Sequence, residues 1–273
     1  MKGKWLSMNQ DLGLSKGEKR RQNIINALKL RGKISIQEIV QLFDCSEATV
    51  RRDLDLLEKK GALIRNLGGA VLDQQSIVKE QSFQEKKELL WFEKEAVAQE
   101  AASLVEEGDS IGLTGGTTTF LIARALKKHE GITVVTNAVN IAMELADSDG
   151  VQVLLTGGVM RRKSYELCGP LAEKMLEGIN INKMFMGIDG IAAEQGVTTY
   201  SELEAEIARL MIKRSLQTYA VFDYTKLGRT SLFPIAPLSS LHGCITNAGA
   251  DHPLMDQMRE QGMELHLTKG GPE

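Results

Sequence analysis

The chain has 273 residues, of which 42% are hydrophobic, 25% charged and 5% aromatic, with a formal net charge of -3. That profile excludes a disordered or collagen-like chain and allows one or two domains with proper cores. No apolar run reaches the ~18–20 residues of a membrane-spanning helix, and the N-terminus lacks the apolar stretch of a secretory signal, so a cytoplasmic protein with no membrane partner is expected.

The net charge is the sum of two unlike parts. Residues 1–72 carry 14 Lys and Arg against 8 Asp and Glu, whereas the remaining 201 carry 19 against 28. A basic head on an acidic body suits a protein that holds nucleic acid with one part and something else with the other. The cysteines Cys45, Cys168 and Cys244 and the histidines His129, His242, His252 and His266 show no metal-ligand spacing. Reduced, mostly buried thiols are expected, with no metal and no cofactor.

Residues 1–17 read as a frayed extension. From Lys16 to Gly61 three short helical patterns follow one another. The first aligns Ile24, Ile25 and Leu28 on one face and stops near Arg31 and Gly32. The second opens with Ser35 and Glu38 in capping-box spacing and carries Ile36, Ile39, Val40 and Phe43. Ser46 can cap the third, whose inward stripe is Val50, Leu54 and Leu57 and whose end is Gly61. At 100° per residue Arg52 lies opposite that stripe, flanked by Thr49 and Arg51 in the first half of the helix. This is how the second helix of a helix-turn-helix meets the major groove: arginine gives guanine two hydrogen bonds, and threonine meets a phosphate or a thymine methyl. Residues 62–72 alternate weakly through Leu63 and Ile64, turn at Gly68 and Gly69 and return through Val71, a two-stranded wing that carries Arg65. Asp53 reads as structural, paired with a neighbouring arginine. The alternative is a three-helix protein-interaction module whose arginines are merely solvated.

A polar stretch, 74–92, is expected to link this domain (18–73) to a second (93–273). After a helical pattern from Glu93 to Leu104, apolar runs at 110–113, 133–135, 151–155, 184–188 and 219–222, with a further candidate at 244–245, alternate with helical stretches. Such alternation indicates an α/β domain with a mostly parallel sheet, whose ligands bind beyond the carboxyl ends of the strands. Behind the first strand stand Thr114, Gly115, Gly116, Thr117, Thr118 and Thr119, leading directly into a helix. Glycines let a backbone approach an anion, while hydroxyls and free helix N–H groups donate to phosphate oxygens. An ordinary capped turn is the competing reading. The loop lacks the Gly-Lys-Ser/Thr of a nucleotide-hydrolysing loop and any dinucleotide glycine fingerprint. Other strand ends carry Asn137, Gly157 with Gly158, Asp189 and Asp223 with Lys226; amides and carboxylates suit sugar hydroxyls, and a lysine suits an anion.

Both halves resemble the DeoR family of bacterial sugar-metabolism regulators. In the head the matching blocks are Arg20 to Ile25, Ser46 to Leu54, Leu57-Glu58 and Gly68 to Ala70. In the body they are Gly115 to Thr119, Val134 to Asn137, Gly157-Gly158 with Arg161 to Ser164, Gly169 to Ala172, Gly187 to Gly190, Gly196 to Thr199 with Glu204 to Glu206, and Asp223 to Arg229. The resemblance spans about residues 18–247. It implies an N-terminal winged helix-turn-helix followed by an α/β domain similar in fold to ribose-phosphate isomerases and coenzyme A transferases. It further implies that Gly115 to Thr119 hold a phosphate, that Asn137 and Asp189 hold the sugar, and that Asp223 and Lys226 take part in the response. Thr114 stands where many members have an acid, and Tyr200 where many have a proline.

The expected function is a DNA-binding transcriptional regulator, in the usual family mode a repressor, that touches operator DNA through Ser46, Thr49, Arg51, Arg52 and Arg65. A phosphorylated sugar effector would release it, and a homo-oligomer is implied. An alternative class is a sugar-phosphate isomerase with an appended nucleic-acid module, its base sought among Asp189, Glu204 and Glu206. A third is a DNA-binding protein whose body only oligomerises.

Overall fold

The structure, a computed structural model, describes residues 16–31, 33–59, 63–66, 68–71, 80–87 and 89–269. The chain divides into two compact units, 1–77 and 78–273. Of the extension expected at 1–17, Lys16 and Gly17 belong to the first helix and the rest lies outside the described residues. No helix among the described residues is long and apolar enough to cross a membrane.

In the first unit the elements are α1 (Lys16–Arg31), β1 (Lys33–Ser35), α2 (Ile36–Phe43), α3 (Glu47–Lys59), β2 (Ile64–Asn66) and β3 (Gly69–Val71). Ile24, Leu28, Ile39, Val50, Leu54 and Leu57 close one small core, so the stripes read from helical spacing are the faces that meet. Ser35 forms the full capping box with Glu38, and the Thr49 N–H donates to Ser46 Oγ at 3.3 Å to start α3. The wing is present, and β1 adds a third strand to it through β3. Periodicity gave no sign of β1, because three residues are too few to show an alternation.

Asp53 is 3% exposed, accepting from Arg20 Nε at 2.5 Å and Arg21 Nη1 at 3.0 Å, and so ties α3 to α1. Both guanidinium groups stay about one-fifth exposed, which screens the pair. Asp53→Ala should therefore cost about 1–3 kcal/mol, below the value for a fully buried ion pair. Hydrogen exchange should show lost protection in α1 and α3 and none lost in the second unit.

The second unit opens with α4 (Phe83–Lys87) and α5 (Trp91–Ser103). Both begin within the stretch expected to be linker, and the physical reason is apolar: Phe83, Leu89 and Leu90 are buried, with Phe83 edge-on to Phe120 and Tyr165. Then follow β4 (Ser110–Leu113), α6 (Thr117–Leu126), β5 (Ile132–Thr136), α7 (Val139–Leu145), β6 (Val151–Leu155), the hairpin β7 (Val159–Arg161) and β8 (Glu166–Cys168), and α8 (Pro170–Leu176). The chain continues through β9 (Ile181–Gly187), β10 (Gly190–Ala192), β11 (Gly196–Thr199), α9 (Glu202–Lys213), β12 (Ser215–Phe222), β13 (Phe233–Ala236), β14 (Gly243–Thr246), α10 (Pro253–Glu260) and β15 (Glu264–Leu267).

Seven strands form one sheet in the order β15-β14-β12-β9-β4-β5-β6, every neighbouring pair parallel. Side chains alternate between its faces. Phe185, Tyr219, Val221 and Ile245 join α5, α6 and α7, while Met184, Met186, Ala220, Phe222 and Cys244 join α8, α9 and α10. The six expected strands are all there, and β15 is additional. A smaller antiparallel sheet, β10-β11-β13, and the β7-β8 hairpin complete the unit.

Candidate functional site

From β4 the strand order runs outward through β5 and β6 on one side, and from β9 through β12, β14 and β15 on the other. Such a reversal leaves a crevice at the carboxyl ends of the two central strands, the usual ligand position in open parallel sheets. The loop 114–116 and the start of α6 follow β4, Ile188 and Asp189 follow β9, and Asp223 to Lys226 follow β12. Sequence-distant candidates therefore meet at one edge. At the switch point itself, the Gly187 N–H donates to Thr114 Oγ1 at 3.0 Å.

Gly116 caps α6 with φ 142, a conformation that L side chains rarely adopt. Thr117, Thr118 and Thr119 are buried, and the Thr119 hydroxyl donates to Gly116 O at 3.1 Å. The side chains of Thr117 and Thr118 make no hydrogen bond among the described residues. Beside them the Gly115 N–H donates to Glu166 Oε1 at 3.0 Å, and a Cβ on Gly115 would overlap the Glu166 carboxyl. Asn137 is completely buried; its Nδ2 donates to Glu166 Oε1 and to Leu167 O, both at 3.2 Å, and its Oδ1 has no partner.

Opposite this lies a charged group centred on Asp189. Lys86 Nζ donates to Asp189 Oδ1 at 2.6 Å, and the Thr199 hydroxyl stands 3.2 Å from both Asp189 Oδ2 and Glu204 Oε2. Having one proton, Thr199 can serve only one of these carboxyls at a time. Burial alone would raise the Asp189 pKa, but the charges of Lys86 and Lys226, with hydrogen bonds from Lys86 and Thr199, hold it below the usual carboxylate range. Glu166 behaves oppositely. Burial, then the charge of Glu204 and a hydrogen bond shared with it, push Glu166 well above that range despite the Asn137 amide and the Gly115 N–H.

The Lys226 side-chain amine makes no hydrogen bond or ion pair among the described residues, although the backbone N–H of Lys226 donates to Asp223 O at 3.0 Å. Burial, against the attraction of Asp223 and Asp189, holds its pKa below the ordinary lysine value, with Lys86 and Arg229 adding repulsion. Asp223 is 2% exposed and shapes the turn that carries Lys226, accepting from the Thr225 N–H at 3.0 Å and from the Thr225 hydroxyl. Tyr200 puts its ring 5.8 Å from Lys86 Nζ.

In the first unit, Arg52 projects from α3 exposed and with no ion pair among the described residues. Arg51 is exposed too, but Glu47 Oε1 holds its Nη2 at 2.5 Å. The Thr49 hydroxyl is 2.8 Å from Ser46 Oγ. Arg65, on the wing, is drawn back to Asp55 and is 28% exposed. The candidate DNA-contact residues thus differ in how freely they can change partner.

Lys86 and Glu166 are not singled out by the sequence, and Arg161 and Thr199 stand there only within blocks of the resemblance, with no role assigned. Lys86 sits in a charge-dense run that reads as linker, and Glu166 follows Tyr165 at φ 62 in a three-residue strand without periodicity. The overlap at Gly115 was the one local clue, and it needs coordinates to appear.

A winged helix-turn-helix with an outward arginine, joined in sequence to an α/β unit with a crevice at the switch point of its parallel sheet, defines a DNA-binding regulator carrying a sensor domain. The family models agree: the DeoR-like helix-turn-helix domain matches residues 20–76 and the DeoR C terminal sensor domain residues 92–248. The uncharacterized HTH-type transcriptional regulator YulB of Bacillus subtilis (strain 168) is 37% identical over 246 residues, covering 90% of this chain and 95% of that protein. The lactose phosphotransferase system repressor of Lactococcus lactis subsp. lactis is 35% identical over 214 residues, covering 78% and 84%. Among solved structures, a ribose 5-phosphate isomerase A from Methanocaldococcus jannaschii aligns at TM-score 0.37 and 17% identity over 49% of this chain and 53% of its own. The chain belongs to the DeoR family and is a transcriptional regulator; the isomerase alternative is not favoured.

Proposed function

We propose that the protein represses a carbohydrate-utilisation operon and leaves its operator when a phosphorylated sugar fills the crevice of the second unit. The observation that carries this reading is a set of uncommitted groups at the switch point. The Lys226 amine and the hydroxyls of Thr117 and Thr118 make no hydrogen bond or ion pair among the described residues, and they share one strand-end edge with an ionised Asp189. In this reading the phosphate rests on Gly115, Gly116 and the start of α6, where Thr117, Thr118 and Thr119 supply hydroxyls and backbone N–H groups. Asp189 accepts from sugar hydroxyls, and Asn137 offers its unpartnered Oδ1 once Glu166 gives way. Asp223 shapes the turn and Lys226 supplies the cation. Operator contacts come from Ser46, Thr49, Arg51, Arg52 and Arg65, in a cytoplasmic homo-oligomer whose paired heads read repeated half-sites. The relative named as a lactose phosphotransferase system repressor supports the carbohydrate assignment.

The effector must bind the DNA-incompetent state more tightly than the competent one, because equal affinity would shift nothing. The test is direct. Operator duplexes are selected from a random pool by the full chain, and glucose 6-phosphate, fructose 6-phosphate, ribose 5-phosphate and glycerol 3-phosphate are scored for stabilisation and for release. At least one should do both; stabilisation by none would overturn the reading, and steady turnover of any would restore the isomerase.

Lys226→Ala should leave operator binding intact and weaken the phosphate ester by roughly 10- to 150-fold, the worth of about 1.5–3 kcal/mol for a charged hydrogen bond. Bound phosphate favours the protonated lysine, so affinity should fall as pH rises through the depressed Lys226 pKa, below the ordinary lysine range. The variant should lose that part of the pH profile, as isothermal titration would read.

A further inference from the structure

Immediately after the segment that joins the two units, residues 80–87 lie as a strap against the β7-β8 hairpin. Both carboxylate oxygens of Glu80 accept from Arg161 Nη2, at 2.9 and 3.0 Å. Lys163 Nζ is 3.6 Å from the same carboxylate, and the Phe83 N–H donates to Lys163 O at 2.6 Å. The other arm of Arg161, Nη1, is paired with Glu204 and reaches Ser164 Oγ at 3.3 Å. Glu204 in turn helps to push the Glu166 carboxyl above its usual range, and Glu166 Oε1 accepts from the Gly115 N–H at the loop after β4 at 3.0 Å. Direct contacts thus join Gly115 to Glu166 at one end and Glu204 through Arg161 to Glu80 at the other, and the influence of the Glu204 charge on Glu166 connects the two stretches. Arg161 is the narrowest point of this route, since one planar guanidinium grips Glu204 with one nitrogen and Glu80 with the other.

An anion arriving at the loop competes for the Gly115 N–H and repels negative charge on the Glu166–Glu204 pair. Any shift of that pair changes what Arg161 can hold. We propose that Arg161 is the positioning residue that passes occupancy of the crevice to the strap at 80–87, and through the chain itself to the DNA-binding unit. The proposal rests on the sensing reading above and adds its route. Such a network earns that role only by measured coupling.

Coupling is read as the ratio of effector Kd with and without operator duplex, using the phosphate ester that stabilises the wild type most among the four above. Wild type should show a ratio in the range of about 5–150, and Arg161→Ala a ratio within about twofold of one, while binding of DNA alone and of the ester alone persists. Arg161→Lys, which can grip one carboxylate but not both, should fall between. Because Arg161→Ala exposes two carboxylates to each other, Glu80→Gln at the outer end is measured in parallel, and it should also collapse the ratio if Arg161→Ala fails to fold. A wild-type ratio retained in Glu80→Gln and in every folded Arg161 variant overturns the relay alone. Absence of any ester binding to wild type overturns the sensing reading and the relay with it.

Discussion

Arg52→Ala is expected to lose operator binding by about 5- to 150-fold while its stabilisation by a sugar phosphate stays at the wild-type level. The magnitude follows from one bidentate base contact, about 1–3 kcal/mol. The choice of residue follows from its neighbours. Arg51 is already held by Glu47 and Arg65 by Asp55, so each must exchange one partner for another on binding DNA, whereas Arg52 is exposed with no ion pair among the described residues. Net loss on truncation should thus be largest at Arg52. A fluorescence-anisotropy titration checks it, and its sequence signature matters as much as its size: relaxed discrimination at one base pair marks a base contact, while a uniform loss with a shallower salt slope marks a phosphate contact. Undiminished retention by Arg52→Ala would remove α3 from the groove.

Gly115→Ala should abolish the response from the other end. A Cβ there overlaps the Glu166 carboxyl, which is 5% exposed and bonded to the Gly115 N–H and the Asn137 amide, so it can make room only by giving up those bonds. Overpacking of this kind costs about 1–3 kcal/mol. Calorimetry should show the second unit melting earlier, with no further stabilisation by any sugar phosphate, while operator binding persists. Full stabilisation by a phosphate ester in this variant would take the loop out of the site.

How far these two sites could be read without coordinates differs for a physical reason. Arg52 needed only the 100° step of one helix and the stripe Val50, Leu54 and Leu57, all within a few residues. The crevice needed strand order. Thr114 to Thr119 suggest a candidate phosphate loop locally, but Asp189 and Lys226 become neighbours only because β9 packs beside β4 and β12 beside β9. Glu166 and Lys86 escaped notice altogether, since their environment is made by partners 51 and 103 residues away in sequence. Within 74–92, where charge suggests a linker, Phe83, Leu89 and Leu90 are buried, which local composition does not signal.

Sequence by itself settled what short-range physics controls: three short helices with the caps at Ser35 and Ser46, the two wing strands, the alternation of strands and helices, and the charge contrast between head and body, while the helix ends expected at Gly32 and Gly61 lie outside the described residues. Tertiary structure alone decided which charges find each other. Coulomb and hydrogen-bond energies depend on ångström-scale distance and on burial, and neither quantity is written along a chain until a sheet order folds it.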